Sequence, residues 1–269
     1  MLLAAGVWLA SLVTLPLAVS AAGGGAAGKV LVVAYLGSFA AMVAGLALAL
    51  RLLHRRGLGS LIGPSGLRPR GLVAGVAVVA ALGALGGLGA LVGPAPARNL
   101  PAGTWLAWLP LALPAVAVQT TAEELVFRGY LIQQLAVRFR ARAVWLGVPA
   151  ALFGILHWNP VDFGHNAWLV VAATIVIGLI LGDVTARLGN LSAALGLHFA
   201  NNVQAILIIA LPSPLAALSL WLAPVDTSDA AAVRAMLIGE IVLMTVAYGL
   251  WRLWWRRRAR LHSKGPDFI

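Results

Sequence analysis

Long apolar intervals with few charged side chains dominate this chain and limit the folds open to it. Most are about 20 residues long, which is the length that an α-helix needs to cross ~30 Å of hydrocarbon. Hydrophobic residues make up 61% of the 269 positions, charged residues make up 10%, and the mean hydropathy is +0.95. The sequence therefore predicts an all-α, polytopic integral membrane bundle. We expect one membrane domain over residues 1–269, with the motif-bearing core at about 103–211.

Eight intervals of this kind are candidate transmembrane helices. They comprise residues 2–22, 30–50, 71–93, 103–137, 143–158, 167–186, 190–211 and 233–251. A transmembrane β-barrel is excluded, because its strands would give short segments of alternating hydrophobicity. The fourth interval is too long for a simple crossing and contains Pro114, so we expect a tilted or kinked helix.

Two apolar stretches could be something other than a transmembrane helix. Leu215 to Ala223 is short and lies between two prolines, so we expect it at the membrane surface rather than across the membrane. The first interval ends in small residues, as a cleaved signal peptide would. No Lys or Arg precedes it, however, which favours a retained first helix.

The basic residues sort strongly to one side of the predicted bundle. With eight crossings, fifteen lie on one side, namely Arg51, Arg55, Arg56, Arg68, Arg70, Arg138, Arg140, Arg142, Arg187, Arg252, Arg256, Arg257, Arg258, Arg260 and Lys264. Lys29, Arg98 and Arg234 lie on the other. The positive-inside rule then places both termini in the cytoplasm. This pattern accounts for the net charge of +11 without a nucleic-acid partner, because the basic residues flank apolar runs.

Two carboxylates and an arginine interrupt the fourth apolar interval. On a helix, Glu124 and Arg128 are four residues apart and can pair along one face, whereas Glu123 is offset by about 100°. One carboxylate is then neutralised and the other is free to take a proton from water. The alternative is a structural Glu–Arg pair with a solvated second glutamate. Ionisable groups at membrane depth are costly, so either explanation must supply a partner or a function.

His157, His198 and Asn202 recur downstream in equally apolar surroundings. Counted from the basic flank of its own helix, each of Glu123, His157 and Asn202 lies 15 residues away. At ~1.5 Å rise per residue they share a layer, roughly 16 to 22 Å from those flanks, with His198 one turn nearer. Taken singly, these groups are explained by helix-end or interhelical hydrogen bonds. Their common depth favours a polar reaction centre, in which an imidazole and a carboxamide direct donors at one oxygen.

Other polar residues are interpreted as structural. Asp183 and Arg187 form an i, i+4 pair near a helix end, and Glu240 is an isolated carboxylate in the last interval. The basic run that begins at Arg256 is interpreted as an anchor that also favours anionic lipid. The chain contains no cysteine, so any metal site would use His, Asp or Glu.

Three motifs in order resemble the type II CAAX prenyl endopeptidase family, also called the CPBP or Abi family of intramembrane proteases. They are E-E-x-x-x-R, F-x-x-x-H and H-x-x-x-N, and they read EELVFR from Glu123, FGILH from Phe153 and HFANN from His198. Each motif is weak alone, whereas all three on separate apolar helices are specific. The resemblance covers about residues 123–202, under a third of the chain.

The resemblance implies a hydrolase that cleaves a peptide bond within the membrane. By analogy with the family, Glu123 would be the general base, assisted by His157, while His198 and Asn202 would stabilise the oxyanion and Glu124 and Arg128 would support the site. The family is described both as metalloproteases and as glutamate proteases. Glu123, His157 and His198 are therefore also candidate ligands of a divalent metal such as zinc. The implied partners are the lipid bilayer and a peptide or protein substrate, such as a prenylated CAAX protein.

Two functions from other classes stay open on the sequence. A transporter or proton-coupled channel would use the buried Glu and His side chains as a proton relay or a substrate site. A non-catalytic membrane protein of the bacteriocin-immunity type would keep the same residues for protein binding. Loss of solute flux on Glu123→Gln would favour the first, and an unchanged phenotype on substitution of His198 would favour the second.

Overall fold

The computed structural model describes residues 27–89 and 94–262, and the predicted first helix at 2–22 lies outside them. Helices form nearly all of the described chain. The α-helices are α1 (Ala27–Ala49), α2 (Gly59–Ile62), α3 (Pro69–Gly89), α4 (Ala102–Glu124), α5 (Ile132–Arg138), α6 (Arg142–Ile155), α7 (Pro160–Phe163), α8 (Ala167–Leu188), α9 (Ser192–Asn202) and α10 (Ala230–His262). π-Helical turns follow three of them: Leu50–His54 after α1, Leu125–Leu131 after α4 and Val203–Ile208 after α9.

The predicted polytopic helical membrane fold is confirmed. Within the described ranges, five helical segments are long and apolar enough to span a bilayer: Ala27–His54, Pro69–Gly87, Ala102–Arg138, Pro160–Leu188 and Ala230–Trp254. Two other predicted intervals form shorter helices. Helix α6 has 14 residues, or ~21 Å, and α9 has 11 residues before its π-turn. The predicted count of eight spans is therefore approximate.

The fourth interval forms one uninterrupted helical segment of 37 residues, Ala102–Arg138. Pro110 and Pro114 lie inside α4 without ending it. At ~1.5 Å per residue the segment is ~55 Å long, so it must tilt or extend beyond ~30 Å of hydrocarbon. Its course changes from α to π directly after Glu124, which places the two glutamates at the end of the regular helix.

Small residues let the helices around the core approach closely. A Cβ atom on Gly196 of α9 would lie 2.1 Å from the Leu72 carbonyl oxygen of α3, and one on Gly75 would lie 2.6 Å from the Ala193 oxygen. Van der Waals contact between backbones replaces the hydrophobic driving force that helices lack in lipid. The close contact fixes α9, the helix that carries His198, against its neighbour.

A buried apolar cluster surrounds the polar groups of α4 and α9. Its largest members come from α1, α4 with its π-turn, and α6; they include Phe39, Leu46, Phe127 and Phe153. A second cluster lies where α1 and α4 pack together farther along, around Leu36, Val116 and Leu207. Phe153 of the first cluster contacts Arg128 and His198, so these ionisable groups are held in an apolar surrounding.

Short strands close the bundle at the end where α4 begins. They are β1 (Ala97–Arg98), β2 (Ile209–Ala210) and β3 (Trp221–Leu222), in the order β1-β3-β2. The β1–β3 pair is antiparallel and the β2–β3 pair is parallel. The apolar stretch 215–223 belongs to this region: it contains most of a 3₁₀ turn, Pro214–Leu218, and all of β3, and it forms no spanning helix.

Candidate active site

Glu124 is the anchor of a buried ion pair, as its spacing from Arg128 predicts. Its side chain has no exposed surface, and its Oε1 accepts a hydrogen bond of 2.7 Å from an Arg128 terminal nitrogen that is itself 2% exposed. Arg128 lies in the π-turn that follows α4. Since a guanidinium buried this deeply needs a counter-charge, the pair holds both side chains in place.

His198 lies between the two glutamates. Its Nδ1 is 2.7 Å from Glu124 Oε1, and its Nε2 is 3.4 Å from Glu123 Oε2. The imidazole is 5% exposed. A ring that faces one carboxylate with each nitrogen is fixed in orientation, and Glu124 supports it as a carboxylate supports a catalytic or metal-binding histidine. The sequence predicted Glu124 only as the partner of Arg128, and this second contact was not foreseen.

Glu123 offers an oxygen that is not engaged by a hydrogen bond. Its Oε2 is buried, and no donor among the described residues meets hydrogen-bond geometry with it. Two carboxylates and one guanidinium leave this group of side chains one negative charge in excess when His198 is neutral. A protonated His198 would balance that charge. Glu123 therefore has a free oxygen beside an imidazole, as a general base for water needs.

The ring of Phe153 brings all three motifs together. Its centroid is 4.7 Å from that of His157 and 5.8 Å from that of His198, while the Arg128 guanidinium carbon lies 4.5 Å from it. Phe153 is buried in α6. The first residue of the second motif is thus a shared packing surface, which sets the two histidines on adjoining sides of one aromatic ring.

His157 follows the last turn of α6 and is half-buried. Its Nδ1 lies 2.8 Å from the Phe153 carbonyl oxygen, which fixes the ring and makes Nδ1 the donor. The other nitrogen, Nε2, is then left as an acceptor. Such an imidazole can assist a reacting water or coordinate a metal ion.

Asn202 pairs with a residue that was not predicted from the sequence, Gln119. The Asn202 amide donates a 2.8 Å hydrogen bond to Gln119 Oε1. Gln119 is buried and lies one turn before Glu123, just as Asn202 lies one turn after His198. The two helices thus face each other with two polar pairs. The signal was available, since Gln119 is a polar residue four positions from Glu123 in an apolar helix.

The arrangement can be compared with what a metal centre requires. A catalytic zinc site uses three protein ligands and one open position. Glu123 and His198 face each other, but no group of three His, Asp or Glu residues is placed to hold a metal within residues 27–89 and 94–262. The described side chains therefore do not make a complete metal site, and metal binding stays a prediction from the sequence.

The fold and the site together define an integral membrane helical bundle with a mostly buried Glu–His–Asn cluster between α4, α6 and α9. Its members are Glu123, Glu124, His157, His198 and Asn202. Residues 104–204 match the family of Rce1-like type II CAAX prenyl endopeptidases, and this confirms the resemblance seen in the three motifs. The matched segment contains every residue of the cluster.

One similar curated protein has no described activity. It is the "Uncharacterized protein YyaK" of Bacillus subtilis (strain 168), which is 34% identical over 100 residues. This alignment covers 37% of the present chain and 32% of YyaK, so the chain spans about a third of the relative's length. No solved structure matches the chain.

Proposed function

We propose that this protein is an intramembrane endopeptidase that hydrolyses a peptide bond with water activated by Glu123. The observation that carries the proposal is the position of His198 between Glu123 and Glu124, in contact with the ring that also packs against His157. A purely structural Glu124–Arg128 pair would not need a second carboxylate and two imidazoles at the same place. The match to an endopeptidase family supports the same activity.

Glu123 acts as the general base in this mechanism. Its buried Oε2 takes a proton from a water molecule while the water oxygen bonds to the carbonyl carbon of the substrate. His157, held through Nδ1 by the Phe153 carbonyl, presents Nε2 as a second acceptor for the same water. The low polarity around the site strengthens these interactions because little solvent competes with them.

His198 and Asn202 stabilise the tetrahedral intermediate. His198 donates through Nδ1 to Glu124. To donate through Nε2 to the oxyanion as well, the ring must carry a proton on both nitrogens, so the active ring is an imidazolium. That charge balances the excess negative charge of the cluster. Asn202 has a second amide hydrogen beyond the one given to Gln119, and this hydrogen serves as the other oxyanion donor.

Collapse of the intermediate releases the two products. The carbon–nitrogen bond breaks as the proton held by Glu123 passes to the leaving nitrogen, which departs as an amine. The other product is a carboxylic acid that ionises in water. One water molecule is consumed and no covalent acyl-enzyme forms. In the family's alternative, Glu123, His157 and His198 would hold a divalent metal ion, and the chemistry supplied would be a more acidic water.

The substrate we propose is a membrane-associated protein, and a prenylated CAAX-type C terminus is the form that the family name describes. A lipid anchor partitions into the bilayer and brings neighbouring peptide bonds to it. By the positive-inside rule, we place the basic ends of the helices and both termini in the cytoplasm.

The test is cleavage of a prenylated CAAX peptide by the purified protein in proteoliposomes, with products identified by mass spectrometry. We expect Glu123→Gln and His198→Ala to lower the cleavage rate at least about a hundredfold. Glu240→Gln is the matched control, because Glu240 lies in an exposed part of the spanning helix α10 and should leave the rate unchanged. Full activity in Glu123→Gln protein that elutes and melts like the wild type would rule the mechanism out.

A chelator separates the two ways of activating water. Loss of cleavage with phenanthroline, restored by added zinc, would show that cleavage needs a bound metal ion, for which Glu123, His157 and His198 are the candidate ligands. Undiminished cleavage after removal of bound metal, verified by elemental analysis, would leave the carboxylate and imidazoles as the acid and base.

A further inference from the structure

Asp183 collects four hydrogen-bond donors from three helices. Arg187, one turn later in α8, bonds to its Oδ2 at 2.6 Å, and Arg252 of α10 bonds to the same oxygen at 2.8 Å. The Tyr248 hydroxyl also donates to Oδ2, and Arg142 at the start of α6 donates to Oδ1. The sequence predicted only the pair with Arg187. The carboxylate in fact joins α6, α8 and α10.

The cluster carries more positive charge than Asp183 can neutralise. Three guanidinium groups meet one carboxylate, so two positive charges are in excess. Three donors also share Oδ2, more than its two lone pairs accept well. Arg252 Nε is buried, and no acceptor among the described residues bonds to it. An additional anion would supply both the missing charge and the missing acceptors.

The guanidinium groups remain accessible to such an anion. The exposed fractions of the side chains are 48% for Arg142, 22% for Arg187 and 23% for Arg252, whereas the Asp183 side chain is 7% exposed. An approaching anion would therefore meet the arginines and not the carboxylate. Forked guanidinium donors bind phosphate oxygens in pairs, which gives geometric selectivity in addition to charge.

The cluster lies at the depth expected of lipid headgroups. Arg142 begins α6, Asp183 precedes the end of the span at Leu188 by five residues, and Arg252 lies four residues before the basic run that begins at Arg256. Aromatic side chains accompany it: the Arg142 guanidinium carbon is 5.3 Å from the centroid of Trp145. Aromatic and basic residues of this kind mark the membrane–water interface.

We propose that Arg142, Arg187 and Arg252 form a binding site for the phosphate of an anionic phospholipid headgroup, seated where the start of α6 and the end of α8 meet α10. The lipid phosphate completes the charge balance around Asp183 and links α10 to the helices that carry the Glu–His–Asn cluster. The acyl chains extend along the apolar surfaces of α8 and α10. The site does not depend on the proposed peptidase activity.

The first experiment counts phospholipids that remain bound through purification, using native mass spectrometry of the full-length protein. Arg252→Gln removes one guanidinium but leaves Asp183 paired with two others, so we expect it to fold. The matched control is Arg257→Gln, which removes the same charge from an exposed position of α10.

We expect wild-type and Arg257→Gln protein to retain phosphatidylglycerol in preference to phosphatidylcholine. Arg252→Gln should bind phosphatidylglycerol about tenfold more weakly or worse. If Arg252→Gln and Arg257→Gln lose affinity for phosphatidylglycerol equally, by no more than about fivefold, only diffuse surface charge attracts the lipid. That result would overturn the site.

The second experiment uses Asp183→Asn, which raises the excess from two positive charges to three. If a headgroup phosphate supplies the counter-charge, this variant should melt well below the wild type in phosphatidylcholine vesicles. Vesicles with phosphatidylglycerol should recover most of the loss. Recovery by soluble glycerol phosphate alone would show that a free phosphate anion, and not a lipid, occupies the site; no recovery by either would refute the proposal.

Discussion

The buried pair of Glu124 and Arg128 allows stability and catalysis to be separated by one set of variants. Both side chains are almost fully buried and their atoms are 2.7 Å apart. At an effective dielectric constant of about 20, charges ~4 Å apart attract by about 4 kcal/mol. Removing one partner leaves the other charge buried and uncompensated, which typically costs about 3–5 kcal/mol.

Glu124→Leu or Arg128→Met alone should therefore lower the free energy of unfolding by about 3–5 kcal/mol. The double variant replaces the ion pair by apolar side chains of similar volume, and such replacements are often neutral. Because His198 Nδ1 also loses its acceptor, we expect the double variant to lie within about 3 kcal/mol of the wild type, which still corresponds to a coupling energy of several kcal/mol. The free energy of unfolding is measured for the wild type, both single variants and the double variant. The purified proteins are unfolded in detergent, either by heating or by titration with a denaturing detergent.

The double variant should nevertheless remain inactive. His198 would still face Glu123 but would have lost the carboxylate at Nδ1 that orients it. Loss of such an orienting carboxylate lowers a rate by roughly 10²- to 10⁴-fold. The control is Arg138→Met, which breaks an exposed contact with Gln134 farther along the same helical segment and should cost under about 0.5 kcal/mol.

Two outcomes would refute this reasoning. If the two single losses of stability simply add in the double variant, the ion pair is not what each substitution disrupts. If the stable double variant cleaves at the wild-type rate, Glu124 has no role beyond pairing with Arg128, and the orientation of His198 has another source.

Two further predictions concern the surroundings of the site. Gln119→Leu removes the acceptor that positions the Asn202 amide, so kcat in the cleavage assay should fall about ten- to a hundredfold with little change in KM; a fall confined to KM would contradict a role in the transition state. Gly196→Ala places a Cβ atom against the Leu72 carbonyl oxygen and should destabilise the protein by about 1–3 kcal/mol. In the control Gly86→Ala the new Cβ atom meets nothing within 4 Å, so the melting temperature should be unchanged or slightly raised. Equal losses of stability in the two variants would show that the α3–α9 contact does not limit stability.

Much of the fold follows from hydrophobicity, because the membrane leaves few alternatives to helices. The intervals predicted at 30–50 and 167–186 correspond to the spans Ala27–His54 and Pro160–Leu188. The predicted ends are less accurate, since charged and polar residues continue a helix beyond the apolar core. The 14-residue α6 shows a second limit: the apolar interval extended to 158, but the helix ends at Ile155, before His157 and Pro160.

Helical periodicity also predicted which side chains share a face, but not what the opposite helix presents to them. The contact between Glu124 and Arg128 is local, and its spacing of four residues predicts it. The contact between Glu124 and His198 joins residues 74 positions apart. The common depth of the motifs indicated that they would meet, whereas the choice of partner depends on the rotation of α4 relative to α9.

Two π-turns that have no signature in the hydrophobic pattern directly follow these contacts along the chain. Glu124 is the last residue of α4 before one, and Asn202 is the last residue of α9 before the other. At their ends, the Ile132 amide donates to the carbonyl five residues before it, and the Ile209 amide does the same.

Each π-turn inserts one residue into the helical register, so the residues beyond it are rotated relative to a continuous α-helix. In lipid every main-chain group still needs a partner, so an irregular turn persists only where packing fixes it. Here both turns directly follow polar groups of the candidate site. The site therefore lies where two helices depart from regular geometry together, and this departure arises from tertiary packing that neither spacing nor composition encodes.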